Sequence, residues 1–83
     1  MKTLDLKGKN VLVVGLGKSG VAASRLLLRN GAIVTATDSN PAEKLSEEAR
    51  GLSGLGVKLE AGFHRTESFI SSDLIILSPG VPR

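Results

Sequence analysis

An uninterrupted apolar run, Val11-Leu12-Val13-Val14, passes directly into Gly15-Leu16-Gly17-Lys18-Ser19-Gly20 and from there into a stretch with helical spacing. A short run of this kind closed by glycine fits a parallel strand buried on both faces. In the turn that follows, the first glycine permits a sharp reversal. The second leaves backbone free to approach a phosphate with no Cβ in the way, and the third lets the next helix pack closely on the strand. A Gly-x-Gly-x-x-Gly pattern alone is weak evidence, and a purely structural glycine turn is the alternative. Here the turn follows a strand, opens a helix, and is succeeded by Asp38 at the end of a second strand, 18 residues past Gly20. Together these features point to a nucleotide whose diphosphate rests on the turn.

The remaining chain repeats the unit. From Ser19 to Asn30, Val21, Leu26, Leu27 and Leu28 mix with alanines over three turns, and Asn30-Gly31 supplies a helix stop. Ile33 to Thr37 reads as a second strand. Asn40 as N-cap, Pro41 at the first helical position and Glu43 as a capping-box partner then predict a second helix. Its stripe of Ala42, Leu45, Ala49 and Leu52 would face the sheet, with its end left open by Gly51, Gly54 and Gly56. Val57 to Ala61 is a less hydrophobic third strand, Thr66 to Ser72 a short helix, and Leu74 to Leu77 a fourth strand.

Strands alternating with helices at this spacing predict an α/β fold: a Rossmann-like parallel sheet in the order 3-2-1-4, helices on both faces, right-handed crossovers throughout. Leu74-Ile75-Ile76-Leu77 would then lie on an edge, an unfavourable place for an apolar strand. This predicts that residues 1–83 are the first domain of a longer protein that adds at least one further strand.

An 83-residue chain has room for one small domain, with an aliphatic core in which Phe63 and Phe69 are the aromatics. There is no Cys, hence no disulfide framework or thiolate metal site, which suits a cytosolic setting. No apolar stretch has the length of a signal or a membrane span. The net charge of +3 is uneven: residues 1–40 carry six Lys and Arg against two Asp, and residues 41–83 five against six acids. Without Trp, Tyr or a basic run, this bias fits one small anion better than a nucleic acid.

Asp38 stands where such folds place an acid that accepts hydrogen bonds from a ribose or base, its alternative role being a turn carboxylate. Ser39 and Asn40 continue that rim, with Asn40 read as a helix cap. Ser78-Pro79-Gly80-Val81-Pro82 follows the fourth strand on the same edge as the glycine turn, so the two loops should face each other. Pro79 sets φ there and Gly80 admits close approach, although an ordinary Pro-Gly turn accounts for both residues equally well. His64, the single imidazole, reads as exposed loop.

Taken together, the Val-Val-Gly-Leu-Gly-Lys-Ser-Gly segment, Thr37-Asp38-Ser39 and the Leu-Ser-Pro-Gly-Val-Pro segment resemble the N-terminal domain of the Mur ligases over the whole chain. The last segment is the specific element, because dinucleotide dehydrogenases share the glycine turn and seldom this loop. The resemblance implies binding of the UDP part of UDP-N-acetylmuramoyl-L-alanine, with the diphosphate on Gly15, Gly17, Lys18, Ser19 and Gly20. It puts the uracil at Asp38 and Ser39, and Ser78 and Gly80 in a loop closing over the nucleotide. Asn40 falls where one well-known form has a basic residue against the uracil. The implied full-length protein is a monomeric cytoplasmic enzyme of peptidoglycan synthesis, an ATP-dependent, ADP-forming ligase that joins D-glutamate to the substrate. The resemblance puts its ATP site, with a P-loop, and its magnesium ligands in a central domain, and no Gly-x-x-x-x-Gly-Lys-Ser/Thr occurs in this sequence. Residues 1–83 would bind and not catalyse. The residues by themselves leave open an NAD(P)-binding domain of an oxidoreductase or a regulatory module, and a small structural module without ligand.

Overall fold

A computed structural model describes residues 5–78 of the chain. The elements run β1 (Asn10–Val14), α1 (Lys18–Arg29), β2 (Ile33–Asp38), α2 (Glu47–Gly51), β3 (Lys58–Ala61), α3 (Thr66–Ser71) and β4 (Leu74–Leu77), with 3-10 turns over Ala42–Lys44 and Leu52–Leu55. All strand pairs are parallel and the order is β3-β2-β1-β4, as the alternating pattern predicts. β1 is central, and Val11, Leu12 and Val13 are at most 1% exposed, which is why its sequence shows no polar alternation. At its foot, Asn10 N donates to Asp73 Oδ2 at 2.8 Å while Asp73 N donates to the Asn10 carbonyl at 2.7 Å, setting the start of β4.

One sheet face carries the core. Val11, Val13, Val34 and Ala36 pack there with Leu16, Val21 and Leu27 around α1, and with Leu45, Ala49 and Leu52 around α2. Strand residues alternate between faces, so Glu60, between Leu59 and Ala61, points to the opposite face. There Ser68 of α3 meets it, which places a helix on each side of the sheet. On that second face Ile33, Ile75 and Leu77 remain 56%, 42% and 72% exposed.

The segment after β2 departs from expectation. The single helix predicted from Asn40 and Pro41 is divided: Pro41, not Asn40, occupies the cap of the 3-10 turn, and neither Asn40 nor Glu43 forms a capping box. Leu45 then takes an extended conformation with ψ 156°, and Ser46 begins α2 by accepting a hydrogen bond from Ala49 N at 3.1 Å. The break has a physical cause. It turns Leu45 into the core, where it is 7% exposed, and Ser46 supplies a side-chain cap where the helix restarts. The guanidinium of Arg50 donates to the Leu45 carbonyl at 2.9 Å, satisfying an acceptor that the break releases. Leu45, Ala49 and Leu52 are buried as the stripe predicts, whereas Ala42 is exposed. In α1 the buried positions are Gly20, Val21, Ser24 and Leu27, and Leu26 is 57% exposed. At the end of α1, Asn30 N and Asn30 Nδ2 both donate to the Leu26 carbonyl.

Candidate functional site

The glycine turn is held from three sides. Gly15 N donates to the Thr37 carbonyl at 2.8 Å, Leu16 N to Asp38 Oδ2 at 2.7 Å, and Ser78 N to the Val14 carbonyl at 2.9 Å. Gly15 has φ +98°, a conformation that L side chains rarely adopt. A Cβ on Gly20 would lie 1.9 Å from the Gly15 carbonyl oxygen, so the third glycine is required by the contact between α1 and the turn. Gly17 differs from both. It caps α1 at φ −74°, and a Cβ there would meet nothing within 4 Å.

Electrostatically, the start of α1 is open. Gly17 provides no side-chain cap, and the first turn contains no acid. The leading N–H groups of a helix have no intrahelical partner and carry the positive end of its dipole. With Lys18 and Ser19 exposed beside them, the site combines aligned backbone donors, one ammonium and one hydroxyl, a set suited to an anion such as a diphosphate.

Asp38 stands at the end of β2, and both of its carboxylate oxygens accept backbone donors: Oδ2 from Leu16 N and Oδ1 from Asn40 N at 2.8 Å. It therefore ties the glycine turn to the loop after β2. Each oxygen keeps a lone pair for a further donor. Ser39 and Asn40 are exposed on the same rim. Ser78 lies against the turn, its Cβ 3.2 Å from where a Cβ on Gly15 would be and its Oγ 3.4 Å from where one on Gly20 would be. The structure thus brings together Gly15, Gly17, Lys18, Ser19, Gly20, Asp38, Ser39 and Ser78. The expected contact at Gly80 falls outside the described residues.

Sequence reasoning passed over a second cluster on the far side of β2. Thr37 is fully buried and its hydroxyl donates to the Phe63 carbonyl at 2.9 Å. Its oxygen lies 2.7 Å from His64 Nδ1, and the tautomer that satisfies both contacts puts the ring proton on Nδ1, donating to Thr37. His64 is exposed as expected, yet it is tied to the strand end that carries Asp38. Glu60 is 2% exposed. Its Oε2 accepts from Ser68 Oγ at 2.7 Å, and its Oε1 has no partner among the described residues. A polar residue on the less hydrophobic third strand was the available signal, but it did not reveal which face Glu60 occupies. Among the described residues no group of three His, Cys, Asp or Glu is placed to share a metal ion.

In comparison with known proteins, residues 9–83 match the family described as Mur ligase MurD-like, N-terminal domain. A UDP-N-acetylmuramoylalanine--D-glutamate ligase from Acidobacterium capsulatum is 53% identical over 79 residues, covering 95% of this chain and 17% of that protein. One of the same name from Desulfosudis oleivorans is 46% identical over 82 residues, covering 99% of this chain and 18% of its own. The chain thus spans under a fifth of the length of these relatives. Among solved structures, the precorrin-2 dehydrogenase SirC superposes with a TM-score of 0.76 at 23% identity, covering 98% of this chain and 39% of its own, a likeness of fold. Apo D-lactate dehydrogenase from Escherichia coli gives 0.70 at 32% identity, covering 95% and 22%.

Proposed function

The chain belongs to the Mur ligase MurD-like N-terminal domain family, and from that premise we propose that it binds the UDP part of UDP-N-acetylmuramoyl-L-alanine. The diphosphate rests on the start of α1, its oxygens accepting from the leading N–H groups and from Ser19 Oγ, with the Lys18 ammonium offsetting its charge. The uridine lies along the Asp38–Ser39 rim, where Asp38 keeps lone pairs free for donors on the base or ribose. Ser78 and Gly80 close over it from the loop after β4. The observation that carries this reading is Gly17, which caps an otherwise uncapped helix and borders open space at the one position in the turn where packing does not demand glycine.

In the longer protein the bound uridine end acts as an anchor. The substrate carboxylate, phosphorylated by ATP, is attacked by the amine of D-glutamate to form an amide with loss of phosphate. The described residues contribute position alone, converting a bimolecular encounter into a held geometry. ATP, magnesium and D-glutamate are bound by other parts of that protein, and residues 1–83 are inactive by themselves.

The likeness to dehydrogenase structures gives the second reading, a nicotinamide dinucleotide on the same turn. Backbone amide shifts decide between them when the chain is titrated separately with UDP-N-acetylmuramoyl-L-alanine and with NAD. The proposal expects shifts at Gly17, Ser19 and Gly80 with the UDP compound. The same shifts with NAD alone would overturn it.

A further inference from the structure

The outer flank of α1 is unlike its core-facing side. Beside the start of α2 it forms a groove of about 530 Å3 lined by Lys18, Val21, Arg25, Leu26 and Arg29 of α1 together with Ser46 and Glu48. A second hollow of about 490 Å3 shares Arg25 and Arg29 and continues to Leu28 and Leu55. Leu26 and Leu55 are each 57% exposed, and the α1 residues buried in the core do not include Leu26. Among the described residues the ion pair found is Arg65–Glu67, so none of the three cations of the groove has a carboxylate within bridging distance.

Arg25 follows Lys18 by seven residues and Arg29 follows Arg25 by four, so the three cations lie on one stripe of the helix. The stripe is about 16 Å long at 1.5 Å per residue, about three turns of a facing helix. We propose that this groove docks an acidic amphipathic helix of a partner protein. Its leucines enter over Leu26 and Leu55, and its carboxylates, spaced four residues apart, meet Arg25 and Arg29, while Lys18 stays with the diphosphate.

The probe is a fluorescein-labelled peptide of about four helical turns with Glu at spacings of four and Leu on the adjoining face. It is titrated with the whole chain and followed by anisotropy. Saturable binding is expected, weakened about tenfold or more in the double variant Arg25→Glu/Arg29→Glu and several-fold in Leu55→Ser. A peptide with Lys in place of Glu should bind that double variant better than it binds the unaltered chain. Thermal unfolding of each variant shows whether its fold is kept. Absence of saturable binding, equal affinity in the charge-reversed variant, or sedimentation with phosphatidylglycerol-containing vesicles without peptide binding would each overturn the proposal.

Discussion

Leu16 N donates to Asp38 Oδ2 at 2.7 Å, joining the glycine turn after β1 to the end of β2 across 22 residues of sequence. Asp38 Oδ1 accepts from Asn40 N, so one carboxylate holds two loops of the candidate site. Asn at this position keeps one acceptor and sets an NH2 group against the other N–H. Asp38→Asn should therefore lower stability by about 1–3 kcal/mol, read as a lower urea midpoint at unchanged slope. An unchanged midpoint would mean that the bond contributes nothing to the fold.

Gly17 and Gly20 should separate binding from folding. Gly20→Ala drives a Cβ to 1.9 Å from the Gly15 carbonyl oxygen, so the chain should unfold or shift α1 off β1. Gly17→Ala meets nothing within 4 Å and should leave the melting temperature within a few degrees. Its methyl group nevertheless stands where the proposed diphosphate approaches, and affinity for UDP-N-acetylmuramoyl-L-alanine should fall about tenfold or more by calorimetry. Equal affinity in Gly17→Ala would move the diphosphate off the turn.

Ser68→Ala removes the hydroxyl that Glu60 Oε2 accepts from, leaving a nearly buried carboxylate without a described partner. The expected cost is about 1–3 kcal/mol in denaturant titration. In the double variant Glu60→Leu/Ser68→Ala most of that cost should disappear, because no buried acceptor is left unsatisfied. A double variant as unstable as the single one would show that the loss comes from packing.

Ser46→Ala tests the division of the segment after β2. With the Ser46–Ala49 cap removed, stability should drop by about 1 kcal/mol. Asn40→Ala, by contrast, should cost less than Ser46→Ala, because its side chain does not cap the helix. The reverse ranking would restore Asn40 as the start of one continuous helix.

Much of the site was legible because its signals are local. The glycine spacing and the strand before it are read within a few residues of one another, and the acid at the end of β2 stands a fixed 18 residues past Gly20. The roles of Gly15 and Gly20 follow from conformation and close packing, which any sequence in that turn must satisfy. Asp38 was legible as a rim residue, but its two backbone partners were not, since Leu16 reaches it only after β1 and β2 have paired. The tie between Thr37 and His64 was hidden for the same reason, and nothing near His64 in sequence distinguishes it from a solvated loop.

By itself the sequence determined the order of elements, the parallel sheet and its 3-2-1-4 arrangement. Hydrophobic period and turn chemistry are short-range properties, and crossover handedness leaves few ways to join the pieces. Tertiary structure alone decided that Leu45 turns inward and breaks the expected helix, that Glu60 is buried under α3, and that Leu26 faces a basic groove. Each of those outcomes depends on which surface arrives from a distant part of the chain, and burial is a property of that meeting.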